Sequence, residues 1–410
     1  MSRSRLAAAS TLLCVATCIV PATASADFTV TLPAGTFLLD SAYMHSTVNI
    51  QYGDDRSAGP LLKGIERYEP GGGWQGTITA KPAVVYRFSL TQLMYGITDD
   101  LTAAVAVPLV LDSTIRTNLS WRRGQYMSSL GRSYSEDDFW AWAQSMGQPK
   151  PPDEWKGNQN TVADIVLALR YRLPQLDWMK ENNIHWSMLL QGAVPTGTEG
   201  EPELLVTAGT TSWDLHSYAD VETHVAMEKF WYDENGVTWL TVGFDAYYGW
   251  MRTRTYKTAT GKNNPLLMTH QPYVGDTYEI DGGDWLAAQV GVDWAPIVGP
   301  TIATYITRGS MEKAQKLPRL LTFQFRYLYL KTGQTDWKSN SPLWEWDGRE
   351  ELWQPGDKQT FVFTGNISLL RVGAPLFLYA RYRTQEILPG RNTRAANVWF
   401  FGGRLVAKFW

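Results

Sequence analysis

The sequence predicts an all-β chain folded as an antiparallel transmembrane barrel of about twelve strands, with fourteen as the alternative. Three observations carry this. Segments of about ten residues alternate apolar and polar side chains, the two-residue period of a strand with two different faces. Aromatic residues make up 13% of the chain, with 19 Trp and 20 Tyr, more amphipathic rings than a soluble core uses. A barrel spends such rings on two interfacial girdles. The chain also opens with an export leader.

The leader comes first. Arg3 and Arg5 precede the apolar run Leu6–Val20, and Ala24-Ser25-Ala26 supplies small residues for cleavage. Residues 1–26 read as a signal peptide and 27–410 as one barrel domain. A lipoprotein anchor at Cys18 is the rival reading, but Thr17 is larger than the residue normally found before such a cysteine. Both cysteines, Cys14 and Cys18, lie in the leader, so a processed chain has no thiol chemistry and no disulfide. The formal charge of −3 becomes more negative without Arg3 and Arg5 and gives no footing for nucleic acid. No later run of about eighteen apolar residues suits a membrane helix. A mean hydropathy of −0.25 fits a barrel, whose alternation hides the lipid face.

The strands follow in order. Thr36–Ile50 is the first, and Gln51–Lys81 reads as a Gly-rich, charged loop. Tyr95–Val110 holds a tight turn, Gly96–Asp100, at the centre of a hairpin running out to about Trp121. Val84, Tyr86, Phe88, Leu90 and Met94 form the apolar face of its first arm. Leu101, Ala103, Val105, Val107 and Leu109 form that of its second. In a membrane barrel these faces are expected to meet lipid. Arg122–Asn160 is a long loop in which Ser135 caps a short helix with an acidic first turn, Glu136–Asp138. Phe139, Trp142, Ala143 and Met146 make its apolar stripe, and Gly147 ends it. This helix either packs on its own loop, the reading we favour, or forms a lid.

Further strands are Thr161–Leu173, Ile184–Pro195, Leu215–Trp231, Val237–Met251, Asp284–Trp294, Arg319–Lys331, Gln359–Val372, Leu376–Gln385 and Asn397–Trp410. Asn235-Gly236 is a strong hairpin signal. Gln271–Ile280 and Ile302–Thr307 are ambiguous and make the difference between twelve and fourteen. Short turns alternate with long polar loops, which are expected outside the cell. The last strand carries Trp399, Phe401, Leu405, Ala407 and Phe409 on one face, an approximate match to the terminal signal read by the barrel assembly machinery.

Several strand ends also carry a resemblance. Leu32-Pro33-Ala34-Gly35-Thr36 opens the barrel, and Tyr95-Gly96-Ile97-Thr98-Asp99 leads to Val107-Pro108. Asp164 starts a strand ending in Arg170-Tyr171-Arg172, and Val194-Pro195-Thr196-Gly197 ends the next. This order resembles the meta-pathway phenol degradation family of outer-membrane barrels, relatives of FadL-type transporters. The glycine often found just before Asp164 in that family is absent. The resemblance implies uptake of small hydrophobic or aromatic compounds.

No nucleophile motif, phosphate loop or metal signature occurs, and no catalytic residue, cofactor or metal is expected. Glu222 and His224 share a face but lack a third ligand. His185 and Ser187 share another, as any polar-facing strand allows. The expected lumen lining is Asp164, Arg170, Arg172, His185, His216, Asp220, Glu222, His224, Asp293, Arg326, Arg381 and Arg383. The arginines and carboxylates set up either a transverse field across a pore or a structural charge ladder. Asp214, His216, Tyr218, Asp220, Glu222, His224 and Glu228 place ionisable groups on one wall, an acidic strip expected to favour cations, with histidines adding a pH response. The expected function is a passive outer-membrane channel for small organic solutes, its partners being membrane lipid, the assembly machinery and the solute. The alternatives are an outer-membrane lipid-modifying enzyme or a structural barrel partnering another envelope protein.

Overall fold

The computed structural model describes residues 28–60, 65–68, 74–80, 83–116, 118–124, 126–127, 130–145, 150, 153–196, 220–257, 277–296, 320–342, 355–370 and 374–408. The leader, Asp214, His216, Tyr218, Met146, Gly147, Ile302–Thr307 and Phe409-Trp410 lie outside them. Twelve strands close the barrel: β1 Thr36–Tyr52, β2 Ala83–Thr98, β3 Leu101–Arg116, β4 Ile165–Arg172, β5 Ile184–Val194, β6 Val221–Tyr232, β7 Thr238–Trp250, β8 Trp285–Trp294, β9 Leu321–Thr332, β10 Gly356–Ser368, β11 Leu376–Thr384 and β12 Thr393–Lys408. Each pairs antiparallel with the next, and β12 returns to β1 over the register Thr36↔Lys408 to Tyr52↔Thr393. Closure leaves no barrel edge unpaired, as a bilayer demands of a sheet.

Two extra strands extend the sheet at the end where the long loops lie. Ala58–Pro60 pairs with β1, and Glu154–Val162 pairs with the far half of β3. Pairing of β3 with β4 ends at Ala106↔Val166 and resumes with the extension at Leu109↔Val162. Pro108 falls in that break, where its carbonyl accepts from the Ala163 N–H. The ambiguous Gln271–Ile280 segment adds no barrel strand. Its described part, Thr277–Asp281, joins Arg254–Lys257 and Asp336–Ser339 in a small sheet.

The segment expected as a plain loop over Gln51–Lys81 contains strands. Ile65–Tyr68 and Trp74–Ala80 form a sheet with Leu119–Arg123, so the second hairpin arm stops at Arg116. Helix α1, Glu136–Ser145, packs on this sheet through Phe139 and Ala143 against Ile78 and Trp121. Its start is capped as expected: the Asp138 N–H donates to Ser135 Oγ (3.2 Å), and Asp138 Oδ2 accepts from the Ser135 N–H (2.8 Å). A second helix, α2, Asp177–Glu181, bridges β4 and β5 at the opposite end.

The outer surface carries Leu167, Leu190, Val225, Phe244, Val290, Phe325 and Phe401, all exposed as lipid-facing side chains must be. The first hairpin departs from expectation. Leu101, Ala103, Val105, Val107 and Leu109 do face outward, but Val84, Tyr86, Phe88 and Leu90 are buried inside. The register is the physical cause. Leu90 pairs with Pro108 and Phe88 with Val110, and cross-strand partners share a face. The outer face of β2 is therefore the polar set Arg87, Ser89 and Thr91 together with Leu93 and Tyr95.

Candidate functional site

The barrel interior has two chemically different walls. One spans β12, β1, β2 and β3. There Met44, Val48, Phe88, Leu90, Val110 and Phe400 form a single apolar cluster on the inner face, and Val166 of β4 joins it. Small residues, Ala42, Ala106 and Ala396, leave room for the large rings.

The facing wall, β5 to β11, is polar and charged. His224 lies between two carboxylates, Nδ1 2.9 Å from Asp245 Oδ2 and Nε2 2.5 Å from Glu222 Oε1. Gln191 Nε2 donates to the same Glu222 oxygen (2.6 Å), and the Tyr247 ring stacks on the imidazole at 4.4 Å. Further round, Arg326 pairs with Asp293 (2.5 Å). Arg381 Nε donates to Thr364 Oγ1 (3.1 Å), with the Tyr379 and Phe400 rings beside its guanidinium. At the seam between the walls, Asp40 accepts from Tyr379 OH (2.8 Å) and Arg404 Nε (2.8 Å). All these charged groups are buried, so each polar contact matters at low local dielectric.

A strap of chain preceding β1 enters this interior at the end of the short turns. Glu228 Oε1 accepts from the Phe28 N–H (2.7 Å), and Oε2 accepts from the Thr29 N–H (2.8 Å) and Thr29 Oγ1 (2.7 Å). Ser187 Oγ donates to the Phe28 carbonyl (3.2 Å). The Phe28 ring lies 4.5 Å from Arg326 Cζ, a cation–π arrangement. Glycine makes the seat. A Cβ on Gly243 would stand 2.6 Å from the Phe28 ring, and one on Gly291 would stand 2.2 Å from Arg326 Nη1. The rest of the strap is tied to the first hairpin and β4. The Leu32 N–H donates to Thr102 Oγ1, the Ala34 N–H to Asp99 Oδ1, and Arg172 Nη2 to Thr31 Oγ1.

The structure places the expected lining residues as follows. Glu222 and His224 bond each other. Asp293 and Arg326 form a pair, and Arg381 and Arg383 are buried on β11. Asp164 is fully buried at the break before β4. Arg170 and Arg172 face inward and are half-buried, and His185 lies edge-on to Phe230 at 5.0 Å. Asp220 stands at the loop end of β6, paired with Arg252 at 3.1 Å and apart from the central cluster. His216 lies outside the described residues. Sequence reasoning missed Asp40, Asp245, Arg404 and the strap. Asp245 had a usable signal, since it alternates with Phe244 and Ala246. The strap had none, because an extended segment buried in a lumen shows no periodicity. Among the described residues no group of three His, Cys, Asp or Glu side chains is placed to hold a metal ion.

No family model matches the sequence, and no curated protein matches it. Solved structures do match in fold. An outer-membrane channel from Pseudomonas putida F1 aligns over 93% of this chain and 98% of its own, with a TM-score of 0.51 at 10% identity. The chain has the fold of an outer-membrane channel. The translocator domain of the autotransporter NalP from Neisseria meningitidis covers 91% of this chain and 89% of its own, with a TM-score of 0.40 at 9% identity. The Pseudomonas putida toluene transporter TodX covers 92% and 90%, with a TM-score of 0.35 at 9% identity. At these identities the likeness of this channel fold to the first is one of architecture, and the other two alignments carry no argument.

Proposed function

We propose that this barrel is an outer-membrane channel for passive uptake of small hydrophobic or aromatic organic solutes. The observation that carries the reading is the apolar inner wall of β12 and β1 to β3. A channel for hydrophilic solutes has no use for Met44, Phe88, Leu90 and Phe400 on its inner face. These side chains pack against one another, so a path along them opens only as they part, and an apolar solute in that path avoids water at about 25 cal/mol per Å² of surface kept dry. The opposite wall suits a polar end of the same solute. Arg326, Arg381 and Arg383 with Glu222, His224 and Asp293 would orient it in the field between them. Arg170, Arg172, His185 and Asp220 would line the approaches. The strand-end motifs that resemble the meta-pathway phenol degradation family, with its FadL-like relatives, agree with an aromatic cargo. The strap narrows the turn end, so flux depends on its position. Export by a cleaved leader spanning residues 1–26 and insertion by the assembly machinery complete the proposal.

The test is purified protein in liposomes. We expect apolar aromatic compounds to equilibrate faster than in empty liposomes, while sugars cause little swelling. Failure of every solute to pass, or hydrolysis of the lipid, would turn the reading toward a structural barrel or an enzyme.

A further inference from the structure

The outer wall of β1 to β3 is not a lipid surface throughout. Ser41, His45 and Thr47 point outward from β1, Thr91, Ser89 and Arg87 from β2, and Asp112 from β3. Ser41 Oγ lies 3.3 Å from Thr91 Oγ1, and Arg87 pairs with Asp112 at 3.1 Å. Arg87 is 48% exposed. The height of this stripe follows from the strand. Tyr95 and Phe37, with ring centroids 4.5 Å apart, mark the girdle at the turn end. At about 3.3 Å per residue and about 40° of tilt, Thr91 stands roughly 10 Å above Tyr95 and Arg87 roughly 20 Å. Both lie within an apolar band about 25 Å tall. On the far side of the barrel the same depth is filled by Val290, Phe325 and Phe363.

Acyl chains offer these hydroxyls and this ion pair no partner, so lipid is the wrong neighbour for them. We propose that the stripe is the contact surface for a second copy of this chain. Three features favour that occupant. Each hydroxyl both donates and accepts, so a two-fold copy of the same surface satisfies it. Arg87 and Asp112 balance in charge, which suits a self-complementary contact and not an anionic lipid headgroup. Polar side chains within a membrane commonly act as glue between spanning elements. The stripe owes its position to the inverted β2, whose apolar residues face inward.

The test uses the full chain in outer membranes of a producing strain. No cysteine follows Cys18 in the sequence, so Thr91→Cys introduces a unique one into the barrel. We expect mild oxidation to convert most Thr91→Cys protein into a covalent dimer, while Val290→Cys on the opposite wall stays monomeric. Heat-modifiable migration verifies that both variants are folded. Native mass spectrometry of the unaltered chain should show a dimer, and Ser41→Leu with Thr91→Leu should weaken it at least tenfold. A monomeric mass for the unaltered chain, or no crosslink at position 91, overturns the proposal. Lipopolysaccharide that co-purifies with the chain and is lost in Arg87→Leu would also overturn it, by assigning the stripe to lipid.

Discussion

Glu228→Gln should release the strap. The parent carboxylate accepts three hydrogen bonds from Phe28 and Thr29, all between 2.7 and 2.8 Å, in a buried site. Hydrogen bonds to a charged group are each worth about 1.5–3 kcal/mol net. The amide keeps one acceptor oxygen and turns a donor toward the strap's own donors, so at least one bond and the charge assistance of the others are lost. We expect the docked strap to weaken by about 2–3 kcal/mol, a factor of roughly 30–150 in its docked-to-free ratio. Amide hydrogen exchange at Phe28 and Thr29 reads this directly, because those N–H groups exchange only when the strap lifts. Their exchange should accelerate by that factor, and planar-bilayer recordings should show more frequent openings. Ser187→Ala, which removes one 3.2 Å bond, should act in the same direction and more weakly. Unchanged exchange at both amides in Glu228→Gln would show that the carboxylate does not hold the strap.

Three other outcomes follow from the same geometry. Leu167→Arg puts a cation on the lipid face and should cost about 2–4 kcal/mol near the midplane, whereas Ala168→Arg points inward and should be milder; equal urea midpoints in lipid vesicles would contradict the facing. Gly291→Leu should evict Arg326 from its pair with Asp293, at about 3–5 kcal/mol for a broken buried pair, and lower the unfolding temperature. Gly365→Ala meets nothing within 4 Å and should leave that temperature near the parent's. Helix α1 should loosen in acid. The Arg132 guanidinium, bonded to both carboxylate oxygens, together with Ser135, holds Asp138 well below the ordinary carboxylate range. A depressed folded-state value means the stabilisation is complete above the ordinary value of about 3.9 and fades as pH falls below it. Protection of the amides in residues 136–145 should therefore fall below about pH 4, and Asp138→Asn should reduce that dependence, Glu136 with Lys150 supplying the rest, while weakening the cap by about 1 kcal/mol.

Much of the fold is legible in the residues because a strand repeats every two. Val221, Thr223, Val225 and Met227 alternate with Glu222, His224 and Glu228, and the structure sets the first group outside and the second inside. The same holds for Leu286 to Trp294 and for Phe323 to Lys331. The short loop helix was legible too, since Ser135 and Asp138 form their cap within four residues of chain. The candidate site was less legible. Inward-pointing charges could be named strand by strand, but their partners sit on neighbouring strands. The pairing of Asp40 with Arg404, 364 positions apart, depends on how β12 meets β1.

The sequence by itself determined that the chain alternates, where most strands begin and end, and that its aromatic load belongs at an interface. Alternation states that a strand has two faces; it does not state which one looks inward. For β2 hydrophobicity pointed the wrong way, since Val84, Tyr86, Phe88 and Leu90 form its more apolar face and yet look inward. The tertiary structure chose, because a one-residue register shift at Ile97, beside the Asp99-Asp100 turn, brings Leu90 opposite Pro108 and closure puts that pair inside. The strap was decided at the same level. Phe28 finds Arg326 and Glu228 only once β6, β7 and β9 have curved round to face one another. The energy that docks it comes from contacts between residues about 200 to 300 positions apart, which no local pattern records.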